Sequence, residues 1–298
     1  MIKSIDELAE ILGESVGTIE YLARTAANGY RCRDEPKPDG GTRRLAVPGP
    51  RLMALQGLIK DRVLRRVAVH PCVHGSGQRR NIGTHATPHL RKEWVIASDI
   101  RKFYPSVRHH AVRGLYREMG LPKRLSALLT RLTTFDGSLP QGAPSSAYIG
   151  NLILYPVDAD THAYCLERGM RYTRFADDIA VSANYDCRHH WPQISEFFVR
   201  RRFTLSEAKT EFMCSSTRQV VTQLVVNDVL DVREEYVRMV HGIVVDLERR
   251  ASSGYRPSSR EMQSLRGRIS FIQSINPSSA SPLWRDLHRL KATRCLLS

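Results

Sequence analysis

Residues 171–182, Arg-Tyr-Thr-Arg-Phe-Ala-Asp-Asp-Ile-Ala-Val-Ser, set two adjacent acids, Asp177 and Asp178, inside an apolar, strand-like run. Neighbouring side chains on a strand point to opposite faces. One of the two would therefore face a core, where an unpartnered carboxylate is costly. A tight turn at the dipeptide relaxes that alternation and lets both carboxylates face one pocket. The stretch then reads as strand, turn, strand, with the acids at the tip.

Two other segments belong with it. Trp94–Ile100 is a second strand-like run and carries Asp99 near its end. Leu139-Pro-Gln-Gly-Ala-Pro-Ser-Ser146 is a turn that opens a helix running to Tyr164. Three carboxylates from adjacent strands repel unless cations lie between them. Two Mg²⁺ ions, about 3.5–4 Å apart, would activate an attacking hydroxyl and stabilise a leaving phosphate oxygen. The bland alternative is a solvent-exposed Asp-Asp turn. Asp99, the Pro-Gln-Gly turn and the charge of the chain together weigh against it.

That charge is strongly positive: 45 Lys and Arg against 30 Asp and Glu over 298 residues, a net of +15. Such an excess favours a polyanionic partner. It is uneven, because residues 1–30 hold two bases and five acids, whereas 241–298 hold ten bases and four acids. The apolar fraction of 42% is that of an ordinary soluble protein. With no apolar run of transmembrane length and no signal-peptide pattern at Met1, a cytoplasmic protein without a membrane partner is expected. The scattered cysteines form no Cys-x-x-Cys pair and read as reduced thiols. Cys72, His74, His85 and His89 suggest zinc at first sight, but Cys72-x-His74 is too tight for the usual ligand turn.

The remaining chain supplies a frame. Ser4-x-x-Glu7 opens a short helix to Leu12, and Ser15–Ala23 suits a second. A helix-turn-helix is the alternative here, and the acidic charge of the segment argues against DNA docking. Pro36–Pro48, with Pro-Asp-Gly-Gly at its centre, suits a β-hairpin. Residues 51–67 read as a helix with Leu52, Leu55, Leu58, Ile59 and Val63 on one side. A loop rich in Gly, His and Arg covers 70–89. Helices are expected over 109–133 and 191–202, a strand over 218–227, and helix beyond Leu230. Tyr236, Val240, Ile243, Val244 and Leu247 share one helix face there.

In order and spacing these segments resemble the reverse transcriptase palm. Asp99–Ser106 resembles the family's first catalytic motif, Asp-x-x-x-aromatic-aromatic. Leu139–Ser146 resembles its Gln-Gly-x-x-x-Ser motif, and Phe175-Ala-Asp-Asp178 its Tyr-x-Asp-Asp hairpin. Leu205-Ser-Glu-Ala-Lys209-Thr210 resembles the Lys-Thr motif that follows, and Pro36–Pro48 the fingers hairpin. Within the superfamily the chain is most similar to bacterial retron enzymes. His85-Ala-Thr-Pro-His89 resembles their Asn-Ala-x-x-His motif, with His for Asn. Val221-Thr222-Gln223 resembles their Val-Thr-Gly, with Gln for Gly. Ser264–Phe271 resembles their thumb. Phe175 for Tyr and Ala147 for Pro are milder departures.

The resemblance implies an α+β right-hand polymerase. N-terminal helices and fingers are expected over 1–92, and the palm over 93–228 with a helical fingers insertion at about 109–138. A basic helical thumb is expected over 229–298. It also implies roles. Asp99, Asp177 and Asp178 would bind two Mg²⁺ ions, helped by the backbone carbonyl of Ile100. Lys209 would protonate departing pyrophosphate. Lys37, Arg43, Tyr104, Gln141 and Gly142 would meet the incoming dNTP, with Tyr104 excluding a ribose 2′-hydroxyl. Arg266 and Arg268 would contact RNA. His85 and His89 would either contact RNA or pack a loop.

The implied function is RNA-directed DNA synthesis. The partners would be a cognate structured noncoding RNA, its DNA product and a separate effector protein, in antiphage defence. The rivals are another defence-associated or group II intron-like reverse transcriptase and, from a different class, a catalytically dead RNA-binding scaffold. The intact acids argue against the scaffold.

Overall fold

A computed structural model describes residues 2–36, 40–76 and 79–296, with side chains described through residue 289. Helices α1 (Ile5–Leu12) and α2 (Val16–Thr25) open the chain. Ser4 and Ser15 accept the amides of Glu7 and Thr18, which satisfies donors left over at each helix start. Gly13 closes α1 at φ 66°, a conformation glycine adopts without Cβ strain. Strands β1 (Tyr30–Pro36) and β2 (Thr42–Pro48) then pair antiparallel as the expected hairpin. Lys37 lies outside the described residues.

Helix α3 (Pro50–Arg62) ends earlier than its periodicity suggests, and Leu64–Arg66 tightens into a 3-10 turn. The short α4 (Ile82–Ala86) precedes β3 (Trp94–Asp99). Next come α5 (Phe103–Ser106), α6 (His109–Glu118), α7 (Lys123–Thr133), α8 (Ser146–Ile153) and α9 (Tyr155–Glu167). The helix expected up to Tyr164 is thus two helices. Pro156 has no N–H to continue the ladder from α8, so the chain restarts there.

Strands β4 (Arg171–Phe175) and β5 (Asp178–Ala183) form the acidic hairpin, followed by α10 (Trp191–Arg200) and β6 (Glu211–Cys214). The strand expected over 218–227 is broken into β7 (Val220–Val221) and β8 (Leu224–Val225). Thr222 and Gln223 turn the chain between them, both at positive φ. A brief β9 (Asp231–Val232) then precedes α11 (Glu234–Ser252), α12 (Ser259–Ile275) and α13 (Pro277–Leu296).

The result is an α+β fold. Its central sheet has the order β4-β5-β3-β6, with each neighbouring pair antiparallel. Strand alternation divides the interior. Ile96, Tyr172, Ile179 and Val181 enter a large core with the N-terminal helices and α6–α10. Val95, Ala180 and Met213 enter a second core with β7–β9 and the three C-terminal helices. A sheet covered on both faces is a stiff mount for whatever stands at its strand ends.

Candidate active site

The hairpin answers the question raised by its adjacent acids. Phe175 pairs with Asp178, so Ala176 and Asp177 form the turn. Ala176 has φ 56°, uncommon for a residue with a Cβ. Asp177 therefore sits off the strand, while Asp178 begins β5 opposite Asp99, the last residue of β3. The Ile100 amide donates to the Asp177 carbonyl at 2.9 Å and sews the tip to the end of β3. The amides of Arg101 and Ser206 donate to the carbonyls of Thr204 and Asp99, at 2.8 and 2.9 Å. Those bonds use the Asp99 carbonyl and not that of Ile100. All three carboxylates stand at neighbouring strand ends.

Their electrostatics suit a cation. Burial, followed by the charges of Asp177 and Asp99, pushes Asp178 up to about 6. Burial also raises Asp177, with a further contribution from Asp99. Lys209 donates to Asp99 Oδ2 at 2.7 Å, and the Asp99 side chain is only 14% exposed. Its other oxygen, Oδ1, is buried without a hydrogen-bond partner. An orphaned carboxylate oxygen beside two acids that resist ionisation is chemistry a divalent cation would complete. Among the described residues no three acidic, His or Cys side chains are already drawn together as a metal-binding group. Lys209 supplies a counter-charge on Asp99.

The expected nucleotide residues lie on several elements. The Tyr104 ring is half-buried, 5.1 Å from that of Phe103. Burial, then the charge of Asp177, raises its phenol pKa. The Gln141 carbonyl accepts the Ala46 amide at 2.8 Å, tying the Pro-Gln-Gly turn to β2. Gly142 has φ 116°, and a Cβ there would meet Val47 Cγ2 at 3.3 Å and the Ala46 carbonyl at 3.4 Å. Within the chain, its close backbone approach is to the hairpin. Arg43 pairs across the hairpin with Glu35 at 2.9 Å. Arg266 is exposed on α12, and Arg268 lies partly covered near Met239.

His85 and His89 require a correction, since both are fully buried. His89 bonds Ser182 Oγ through Nδ1 and Thr173 Oγ1 through Nε2, each at 2.7 Å. His85 Nδ1 meets the same Thr173 hydroxyl at 2.8 Å. Burial lowers both ring pKa values, that of His89 to about 3. Two neutral rings locked under the hairpin cannot grip an RNA phosphate. Packing, the other sequence reading, is what the fold builds.

Sequence reasoning also missed residues beneath the acids. Arg174 is fully buried against Asp158 of α9 and Asn151 of α8. A signal existed: in Tyr172-Thr-Arg174 the arginine shares the face of an apolar tyrosine, and a buried guanidinium demands an acid. Thr222 was missed as well. Its buried hydroxyl falls short of a well-formed bond, yet lies near enough to Asp178 to favour the carboxylate.

The family model described as reverse transcriptase (RNA-dependent DNA polymerase) matches residues 35–251. Retron Mx162 reverse transcriptase of Myxococcus xanthus is 30% identical over 98% of this chain and 68% of its own length. The chain belongs to the retron reverse transcriptase family. Retron Ec86 reverse transcriptase of Escherichia coli is 26% identical over 98% of this chain and 90% of that protein. Among solved structures, a foamy viral protease-reverse transcriptase in complex with double-stranded DNA aligns with a TM-score of 0.49 at 15% identity. That alignment covers 88% of this chain and 43% of the other. The family match runs from β1 into α11 and contains all three acids. This retron reverse transcriptase is an RNA-directed DNA polymerase.

Proposed function

We propose that the enzyme copies part of its own structured noncoding RNA into a short single-stranded DNA. Priming is from a 2′-hydroxyl within that RNA, so the product remains joined to it. The observation that carries this reading is the meeting of Asp99, Asp177 and Asp178 at adjacent strand ends, with Asp99 Oδ1 buried and unpartnered. Two Mg²⁺ ions bound there, with the Ile100 carbonyl as a further ligand, would supply nucleophile activation and stabilisation of the leaving group. Tyr104 excludes a ribose 2′-hydroxyl. Lys209, held at the site by Asp99, donates the proton to departing pyrophosphate. Gln141, Gly142, Arg43 and Lys37 surround the incoming dNTP.

Residues 1–92 act as N-terminal helices and fingers and 93–228 as palm. Residues 229–298 act as a thumb that grips the template–primer backbone through Arg266, Arg268 and their basic neighbours. The names of the retron relatives support a cognate RNA and an RNA-linked DNA product. The same family resemblance supports a cytoplasmic role in antiphage defence alongside a separate effector protein. Among the described residues no helix is long and apolar enough to cross a membrane. The test is to purify the protein from its host and sequence the nucleic acid that accompanies it. A covalently branched RNA–DNA molecule is expected; messenger fragments alone would overturn the retron reading.

A further inference from the structure

Strand β4 carries a side chain that polymerase chemistry leaves without a task. Arg174 is the largest fully buried side chain among the described residues, and it stands two positions before Ala176. Its Nε donates to Asp158 Oδ1 at 2.8 Å and its Nη2 to Asp158 Oδ2 at 2.6 Å. Its Nη1 donates to Asn151 Oδ1 at 2.8 Å and to the Ala176 carbonyl at 2.7 Å. A planar fork anchored on two helices thus holds a backbone carbonyl in the turn that bears Asp177.

The surroundings make that grip rigid. Tyr172, on the same face of β4, donates to Asp158 Oδ1 at 2.9 Å. Asn151 Nδ2 donates to the Gly75 carbonyl at 2.9 Å. Gly75 lies so close to the tip that a Cβ there would stand 2.8 Å from the Ala176 nitrogen. The backbone of residues 72–74 runs beside β4, with Arg174 N donating to Cys72 O at 2.9 Å and His74 N to Arg174 O at 2.7 Å. Ala176 is thereby held at φ 56°, a conformation its Cβ disfavours and only the surroundings can impose.

Stability alone does not account for such an arrangement. A buried ion pair can often be replaced by apolar side chains of similar volume without loss. An apolar pair cannot, however, aim a carbonyl. We propose that Arg174, fixed by Asp158 and Asn151, is the positioning residue of the catalytic hairpin: it sets the Ala176 carbonyl and so the direction in which Asp177 and Asp178 leave the turn. The inference rests on reading those acids as the polymerase site. It also couples two parts of that site, because Asn151 lies on the helix that follows the Gln141–Gly142 turn.

The test uses the full chain and two variants. Arg174→Lys leaves Asp158 a cation but replaces the planar fork with a single nitrogen of three donors, which cannot reproduce the four bonds to Asp158, Asn151 and Ala176 at once. Arg174→Met combined with Asp158→Leu removes both charges and keeps the volume. Incorporation of dNTP on a preformed RNA-template, DNA-primer duplex gives kcat and KM. Thermal melting reports the fold, and hydrogen–deuterium exchange of peptides within 171–183 reports the tip. Both variants are expected to fold and bind the duplex as wild type does. Their kcat falls about 100-fold with KM for dNTP little changed, the loss expected of a misplaced catalytic group. Amides at 175–179 exchange faster.

A folded variant with wild-type kcat, or with unaltered exchange at the tip, overturns the inference. If the double variant does not fold, Arg174→Lys decides the matter by the same two readouts. Failure of the wild type to incorporate nucleotide would instead overturn the polymerase reading, and the exchange measurement would still decide the positioning role.

Discussion

Replacing Asp178 with Asn should make the metal-free protein more stable while removing its polymerase activity. The Asp178 carboxyl is pushed from its ordinary 3.8 up to about 6, by burial first and then by Asp177 and Asp99. Between those two pH values the folded protein holds a proton that the unfolded chain has released. Stability therefore falls as pH rises through this window, and the deficit is complete above about pH 6. Two pH units at about 1.4 kcal/mol each give roughly 3 kcal/mol. Solvent reaching a partly buried carboxyl trims that to about 2–3 kcal/mol. Asn is neutral at every pH and carries no such deficit.

Urea unfolding in the presence of a chelator, from pH 4 to 7.5, measures the difference between variant and wild type. That difference should be small at pH 4 and grow to about 2–3 kcal/mol in favour of Asn at pH 7.5. His74, His85 and His89 tilt both curves alike, so they cancel in the comparison. Adding Mg²⁺ should stabilise the wild type more than the variant. A difference that is flat across the window, or an Asn variant less stable at pH 7.5, would refute the claim that this carboxylate is held ionised against its surroundings.

Three further outcomes follow from individual residues. Tyr104→Ala should raise ribonucleotide incorporation relative to deoxyribonucleotide by roughly tenfold or more, and unchanged selectivity in single-nucleotide extension would remove its steric role. Gln223→Gly should stabilise the protein by up to about 1 kcal/mol in urea unfolding, because Gln223 stands at φ 73°; a loss would mean that its side chain makes a contact outweighing the strain. Burial keeps His89 neutral, with its pKa lowered to about 3, so the stability it contributes is complete above pH 6.5 and is lost as pH falls toward 3. His89→Phe should lower Tm at pH 7.5 and flatten its acid dependence, and an unchanged acid slope would contradict the burial argument.

The features legible in the sequence were those fixed locally. A two-residue turn between apolar strands places Asp177 and Asp178, and the turn-rich run before Ser146 announces a helix start. What escaped depends on partners distant in sequence. The Thr173 and Ser182 hydroxyls that neutralise the need of His85 and His89 for water lie 84 or more residues away. A loop rich in Gly, His and Arg looks exposed until those partners are known. Arg174 meets Asp158 across the α9–β4 connection, and no periodicity reports which acid a buried arginine will find. The Thr222–Gln223 turn lacks the Gly or Asn that usually marks positive φ, so 220–225 reads as one strand. The break between α8 and α9 was legible at Pro156, which the helical reading passed over.

The most direct measurement compares wild type with Asp177→Asn in extension of a DNA primer on an RNA template, with and without Mg²⁺, alongside binding of the cognate RNA. Mg²⁺-dependent synthesis is expected of the wild type, none of the variant, and equal RNA binding of both. Undiminished synthesis by Asp177→Asn, or a parallel loss of synthesis and RNA binding, would contradict the placing of catalysis at these acids.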